Sequence, residues 1–299
     1  MVKKMKQFSL KWEVKKEHNG ILLREFLKLK ELSKRALTDI KFQGGKITVN
    51  DEEKTVRTIL NESDLVQIYF PIEKPSEELI AEEIPFEIVY EDDAVLVINK
   101  PSGIPSIPSR EHPKGTLANG ILYYYQSIGL QSTIHIVTRL DKDTSGLMLV
   151  AKNRYIHYLF SKNELKSVQR KYIAIVHGHM NESIGVIRAK IARKSDSIIK
   201  RVVSENGQEA ITHYNVLLAN RKYSVVELEL ETGRTHQIRV HMSSLGHPLI
   251  GDDLYGGKND TLKRQALHSY KLSFMHPIDH FRKNLEIALP PDLIGFLES

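Results

Sequence analysis

The chain has 299 residues, 41% hydrophobic and 27% charged, with a formal net charge of +6. That length supports a sizeable core and a division into two domains, while the absence of cysteine excludes a disulfide framework, thiolate catalysis and cysteine-ligated zinc or iron–sulfur centres. The start, MVKKMKQFSLKWEVKKEHNG, is basic but lacks the apolar run of roughly 7–15 residues that a signal peptide needs. No window approaches about 18 unbroken apolar residues, so a cytoplasmic protein without a membrane segment is expected.

Charge is unevenly distributed. Residues 1–70 carry 15 Lys/Arg against 10 Asp/Glu, residues 71–93 carry one against 9, and residues 94–299 carry 27 against 18. Basic charge on both sides of an acidic bridge points to a polyanionic partner, because neutralised phosphates supply most sequence-independent affinity for nucleic acid. The bridge, PIEKPSEELIAEEIPFEIVYEDD, opens with two prolines in five residues and a glutamate-rich run, the composition of a hinge. The expected organisation is a module over 1–75, an acidic linker over 76–83 with the boundary near Glu82, and a larger domain over 84–299.

In the first block, ILLREFLKLKELSKRALTDIKFQGG predicts two short helices, one on Leu22, Phe26 and Leu29, the next on Ala36, Leu37 and Ile40 with Ser33 as its cap. Gly44-Gly45 turns into KITVN, an alternating strand, and DLVQIYF follows the Asn61–Asp64 turn as another. Lys34 and Arg35 fall in the first turn of the second helix, where cations oppose the helix dipole and so do not support the helix. They are better placed to meet phosphate. The pattern SKRALTDI, GGKITVN and a DLV strand over about residues 20–70 resembles the small S-four-like RNA-binding module first seen in a ribosomal protein.

In the second block Phe86, Ile88 and Tyr90 alternate as a half-buried strand, and AVLVINK reads as a buried central strand ending in the loop Lys100-Pro101-Ser102-Gly103. The stretch VTRLDKDTSGLMLVAKN sets Arg139, Asp141, Lys142 and Asp143 against the apolar run Leu147–Ala151, with Ser145-Gly146 read as the turn between them. A carboxylate at the mouth of a core strand is costly unless it is paired or useful. SVQRKYIAIVHGHM then places Arg170, Lys171 and Tyr172 at the head of another strand. After the strand Tyr223–Leu230 and the turn Glu231-Thr232-Gly233, the segment GRTHQIRVH packs Arg234, His236, Arg239 and His241 into eight residues at helical or turn spacing. His236 with His241 or His247 matches no common zinc spacing and has no acidic trio, so no metal and no cofactor is expected.

RLDKDTSGL, the Lys-Pro-Ser-Gly loop, RKY, ETGRTHQIRVH, LGHPLIGDDLYG and ALHSYKLSFMHP stand in the order and approximate spacing of the RluA-type pseudouridine synthases, which the chain resembles over about residues 84–290. The resemblance implies an α+β fold around a mixed, mainly antiparallel sheet, and isomerisation of uridine in RNA. In that reaction the N-glycosidic bond breaks, the uracil turns, and it is rejoined through carbon 5. It also implies Asp141 as the catalytic aspartate, Tyr172 against the uracil face, and Arg234 paired with Asp141. Arg139, Pro101, Ser102, Gly103, His236, Gln237 and Arg239 become candidates for substrate binding. One departure is Thr138, where the family commonly has His.

The chemistry of the residues agrees. Breaking a nucleoside bond without a metal needs a nucleophile or base, and a carboxylate can be either. A fixed cation beside Asp141 would keep it ionised though dry. Attack at the anomeric carbon, attack at carbon 6 and proton abstraction from the ribose all remain open for it. A base flipped out of folded RNA costs a few kcal/mol, and stacking on an aromatic ring such as Tyr172 offsets part of that. Two other readings compete: a metal-dependent phosphatase of the D-x-D-T type with Gly251–Asp253 as its late motif, and a non-catalytic RNA-binding protein on the same scaffold. The expected partner is RNA, ribosomal rather than transfer RNA, bound by a monomer.

Overall fold

The computed structural model describes residues 7–162, 168–258 and 261–297; the first six residues of the basic start lie outside them. The N-terminal unit is a four-stranded antiparallel sheet of Ser9–Glu13 (β1), Lys46–Val49 (β2), Glu52–Glu53 (β3) and Leu65–Tyr69 (β4), in the order β1-β4-β2-β3. The helices Leu23–Leu29 (α1) and Lys34–Phe42 (α2) stand where their periodicity placed them. Ser33 caps α2, its Oγ accepting the Ala36 N–H at 3.1 Å. The first strand, β1, has no sequence expectation behind it. Its alternation is weak, and its pairing along β4 holds it in the sheet.

The larger unit follows as Glu87–Glu91 (β5), Val95–Lys100 (β6), Leu117–Ile128 (α3), His135–Ile136 (β7), Ser145–Ala151 (β8), Arg154–Lys162 (α4), Val168–His177 (β9), Ile184–Arg188 (β10), Ile191–Arg193 (β11), Arg201–Val203 (β12), Ile211–Ala219 (β13), Tyr223–Leu230 (β14), Gln237–Ser244 (α5), Leu267–Met275 (β15), Arg282–Glu286 (β16) and Pro291–Ile294 (α6). Ten strands make one mixed sheet with the main order β10-β13-β14-β9-β15-β8-β6-β5; β16 pairs with β15, and β7 pairs with β8. Among the described residues only the β8–β15 contact is parallel. This is the α+β class with a mainly antiparallel sheet that the motifs implied.

The continuous apolar runs are explained by burial on both faces. In β6, Leu96 and Ile98 join the core that holds Tyr125, Met148, Tyr172, Leu228 and Ile238, while Val95 and Val97 point to the opposite core with Leu147, Leu149 and Phe274. That opposite core also contains Phe26, Ile40, Ile68 and Phe70 of the N-terminal unit, so the two units share one hydrophobic interior. Phe70 stacks on Tyr155 of α4 at 5.1 Å, and the Tyr155 hydroxyl donates to the Lys30 carbonyl at 2.7 Å. The acidic bridge, read from its composition as a hinge, is instead strapped down. Glu73 pairs with His135 and accepts the Arg154 N–H at 2.8 Å, Glu82 accepts the Gly115 N–H at 2.7 Å, and Asn119 donates to the Ile80 carbonyl at 2.7 Å. Composition shows the charge of such a segment but not the partners that neutralise it.

The parallel contact has its own chemistry. Gly146, expected in a turn, lies within β8 at φ 113°, and a Cβ there would stand 2.3 Å from the Ser269 carbonyl oxygen, so only glycine lets the two backbones meet. Beside it, Ser145 Oγ and His268 Nδ1 are 2.8 Å apart. Burial pushes the His268 pKa down to about 4 from 6.5, with Arg264 adding to the effect. The unfolded chain therefore binds a proton that the folded chain refuses, and stability must fall as pH drops from about 6.5 towards 4. The expected loss from this group is up to about 3 kcal/mol. Urea melts of the wild type and His268→Asn across that range should show a flatter pH dependence in the variant; equal slopes would remove His268 as the cause.

Candidate active site

A cleft of about 1100 Å3 opens between the loop that enters β8, the head of β9 and the segment that leads into α5. The entering loop, residues 137–144, is held from several sides. The N–H groups of Val137 and Thr138 both donate to the Leu149 carbonyl, at 2.9 and 3.2 Å, and Thr138 Oγ1 accepts the Leu149 N–H at 2.9 Å. The Thr138 hydroxyl thus registers the loop against β8, which gives the departure from the family pattern a structural account. Ser106 Oγ donates to the Leu140 carbonyl at 2.6 Å. Lys100, fully buried, donates to the carbonyls of Pro101, Ile104 and Lys142 at 2.7, 2.8 and 2.8 Å. Burial lowers its pKa to about 8, partly opposed by Asp143 and Asp141.

Asp141 emerges from this loop into the cleft, about a quarter exposed. Its cation is Arg239 rather than the expected Arg234. Arg239 Nη1 donates to Asp141 Oδ2 at 3.1 Å, while Nε and Nη2 hold both oxygens of Asp252 at 2.7 and 2.8 Å. Arg234 is exposed, its Nε donating to the Glu209 carbonyl at 3.0 Å. The two arginines lie five positions apart. The α5 helix begins at Gln237, so Arg239 projects from its first turn towards the loop, whereas Arg234 belongs to the preceding turn. Burial disfavours the Arg239 charge, but Asp252 and Asp141 more than offset this and hold its pKa above the ordinary value. His236, in left-handed backbone at φ 58°, places Nε2 3.8 Å from Asp141 Oδ2. Its pKa is lowered by burial, against the pull of Asp141.

Tyr172 lines the cleft from β9 with its ring almost wholly buried, and burial raises its pKa. Arg139 lines the cleft and is exposed. Gln237 belongs to the cleft wall, but its amide is spent internally: Oε1 accepts from Thr232 Oγ1 and the Arg234 N–H, and Nε2 donates to the Ile211 carbonyl and Thr212 Oγ1, which uses all its bonding positions. Pro101, Ser102 and Gly103 are absent from the cleft wall. Gly103 braces the Asp141 loop from outside, its N–H donating to the Lys142 carbonyl at 3.0 Å. Among the described residues no three His, Cys, Asp or Glu side chains converge as a metal site; His241 bonds Thr212 Oγ1 and the Ala189 carbonyl, and His247 the His177 carbonyl. Lys100, Asp252 and Tyr255 were not anticipated. Asp252 had a signal, since an aspartate between the apolar run Pro248–Ile250 and Leu254 requires a buried cation.

A carboxylate, a guanidinium and a phenol thus meet in a cleft that Arg139, Lys142, Arg170 and Arg234 also line, on a mainly antiparallel α+β scaffold. Comparisons with known proteins give the class. Residues 94–244 match the family model described as RNA pseudouridylate synthase. The chain is 54% identical over 265 residues to the uncharacterized RNA pseudouridine synthase YjbO of Bacillus subtilis, covering 88% of this chain and 93% of that one. It is 40% identical over 269 residues to the ribosomal large subunit pseudouridine synthase D of Pseudomonas aeruginosa, covering 85% and 83%. A solved structure, human RNA pseudouridylate synthase domain containing 4, superposes with a TM-score of 0.58 at 27% identity over 71% of this chain and 92% of that one. The chain belongs to the RluA-type branch of the RNA pseudouridine synthase family, and its activity is that of an RNA pseudouridine synthase. The phosphatase and non-catalytic readings fall with that assignment.

The shared guanidinium makes a stability prediction. Arg239→Met leaves Asp252 buried without a counter-ion and should cost on the order of 3–5 kcal/mol. The double variant Arg239→Met, Asp252→Asn should recover part of that loss, whereas Arg234→Met should shift stability by less than about 0.5 kcal/mol. Guanidinium melts of the wild type, Arg239→Met, Asp252→Asn, their double variant and Arg234→Met check this, and simple additivity of Arg239→Met and Asp252→Asn would show that the pair is not coupled.

Proposed function

We propose that the protein isomerises uridines of large-subunit ribosomal RNA, with Asp141 as the catalytic group and without a metal or organic cofactor. The observation that carries this reading is the single-oxygen grip on Asp141. Arg239 donates to Oδ2 and the His236 ring stands nearest the same oxygen, so one shared cation holds Asp141 by a single oxygen and, among the described residues, Oδ1 is left for the substrate. A carboxylate so placed can attack the ribose or the uracil, or remove a ribose proton. The reaction is internally balanced: the bond from the anomeric carbon to N1 breaks, a bond to carbon 5 forms, and the carbon-5 proton leaves as N1 gains one. No redox partner or leaving group is needed. Tyr172, in the cleft wall, serves as the surface against which the flipped uracil stacks, and Arg139 as a phosphate or base contact. The name of the Pseudomonas aeruginosa relative supports ribosomal over transfer RNA.

The N-terminal unit is the second support for an RNA substrate. Lys34 and Arg35 stand in the first turn of α2, where they serve as phosphate contacts of an S-four-like module. A monomer acting in the cytoplasm, where ribosomal RNA is made, fits this reading; no helix of the described residues is long and apolar enough to cross a membrane.

Asp141→Asn should abolish tritium release from carbon-5-labelled uridine in large-subunit ribosomal RNA, while RNA affinity stays within about threefold of wild type, because the amide keeps the shape but loses nucleophilicity and basicity. Turnover near the wild-type rate would take Asp141 out of the mechanism. Mapping pseudouridines in a deletion strain tests the substrate, and loss from transfer RNA alone would overturn the ribosomal assignment. Because the N-terminal unit shares its core with the large sheet, its RNA role is best tested by charge rather than by deletion. The Lys34→Gln, Arg35→Gln double variant should lower the slope of log affinity against log salt by up to about 2; an unchanged slope would mean that these cations meet no phosphate.

A further inference from the structure

Tyr255 is the residue on which the surroundings of Asp141 converge. It ends a short turn, Asp253–Tyr255, directly after Asp252. Its ring lies under the Arg239 guanidinium at 4.9 Å and edge-on to the His236 ring, centroids 5.7 Å apart at 83°. Its main-chain carbonyl accepts from Ser243 Oγ of α5 at 2.9 Å. Its hydroxyl makes two contacts, 2.9 Å to the main-chain N–H of Arg201 in the β11–β12 hairpin and 2.8 Å to Nδ1 of His236.

We propose that Tyr255 is a positioning residue that fixes His236 in the tautomer with its hydrogen on Nε2, and so presents an N–H donor to Asp141. The argument is one of hydrogen counting. A main-chain N–H can only donate, so at Arg201 the phenol oxygen accepts. Among the described residues the hydroxyl has no other partner than His236 Nδ1, so an Nδ1–H would leave the phenolic hydrogen without an acceptor, and the arrangement that uses every hydrogen has the phenol donating to a bare Nδ1. In a neutral imidazole the hydrogen therefore sits on Nε2, the atom 3.8 Å from Asp141 Oδ2. That separation is beyond a hydrogen bond, and a movement of under about 1 Å closes it. The left-handed backbone of His236 aims the ring in this direction at a cost in strain. The groups facing the ring are Asp141 from the loop, Arg239 from α5, Arg201 from the hairpin, and Asp252 and Tyr255 from the turn. The function of this donor rests on the reading of Asp141 as the catalytic group; the tautomer does not.

The test uses the full-length protein labelled with 15N-histidine, and a long-range 1H–15N correlation spectrum that reports which ring nitrogen of His236 carries hydrogen. Wild type should show Nε2–H with a bare Nδ1. In Tyr255→Phe the Nδ1 bond is lost, and because that bond favours the neutral ring, the His236 pKa should rise and the Nε2–H signature should give way to a mixture. On ribosomal RNA the variant should lose on the order of 10–100-fold in kcat with KM changed less than about threefold. A wild-type ring with hydrogen on Nδ1 overturns the proposal, as does a His236 spectrum in Tyr255→Phe identical to wild type, whatever its activity. The wild-type spectrum decides the tautomer even if Tyr255→Phe fails to fold. If wild type turns over no RNA, the functional reading fails and the spectrum still decides the tautomer.

Discussion

The site depends on one guanidinium shared between two carboxylates. Asp252 is fully buried and takes Nε and Nη2 of Arg239, leaving Nη1 for Asp141. The division is imposed by planarity. A guanidinium presents a rigid fork that holds one carboxylate through two nitrogens and reaches another only at the third. Asp252 therefore locks the arginine, and the arginine limits Asp141 to a single bond. An exposed ion pair would be worth little, but the Arg239–Asp252 pair is dry, and breaking it leaves an uncompensated charge in the interior. The GDD segment thus sustains the RLD segment 111 positions earlier in the chain, with α5 between them.

Around that pair, the loop bearing Asp141 is fixed by main-chain chemistry more than by side-chain packing. The three hydrogens of the Lys100 ammonium are spent on three carbonyls, two of its own loop and one of the Asp141 loop. A buried lysine is unfavourable unless its donors are used, and here they join two loops that the sequence separates by some forty residues. The Lys-Pro-Ser-Gly loop acts on the site through this lysine and the Gly103 N–H, and its own side chains stay out of the cleft. Gly146 plays the corresponding part behind the loop, where its missing side chain lets β8 run beside β15. Among the described residues the sheet is antiparallel except at this contact, which lies at the start of β8 just after the Asp141 loop.

The N-terminal unit, the strap of residues 71–83 and the large sheet form one packed body through Phe70, Tyr155 and the core around them. For the RNA contacts proposed at Lys34 and Arg35, this means a fixed basic module rather than a tethered one. A fixed module presents its cations at a set distance from the cleft, so affinity and register are supplied together. A flexible tether would supply affinity alone.

By itself the sequence determined the class of fold, most of the regular elements and the candidate acid of the cleft, Asp141. The elements are carried by local spacing, in period-two and helical hydrophobic patterns and a serine cap, whereas the fold class and the choice of Asp141 came from the resemblance of the ordered motifs to a known family. It did not determine which arginine meets Asp141, because Arg234 and Arg239 both follow the same turn and their directions differ only once α5 begins at Gln237. Nor did it show that Gln237 is spent internally, that Asp252 is the hidden partner, or that the acidic bridge is strapped rather than free. Each of these is a hydrogen bond or ion pair between groups distant in the chain, satisfied only when packing excludes water and brings the partners within about 3 Å. Spacing along the chain carries no record of that distance, and the tertiary structure alone decided it.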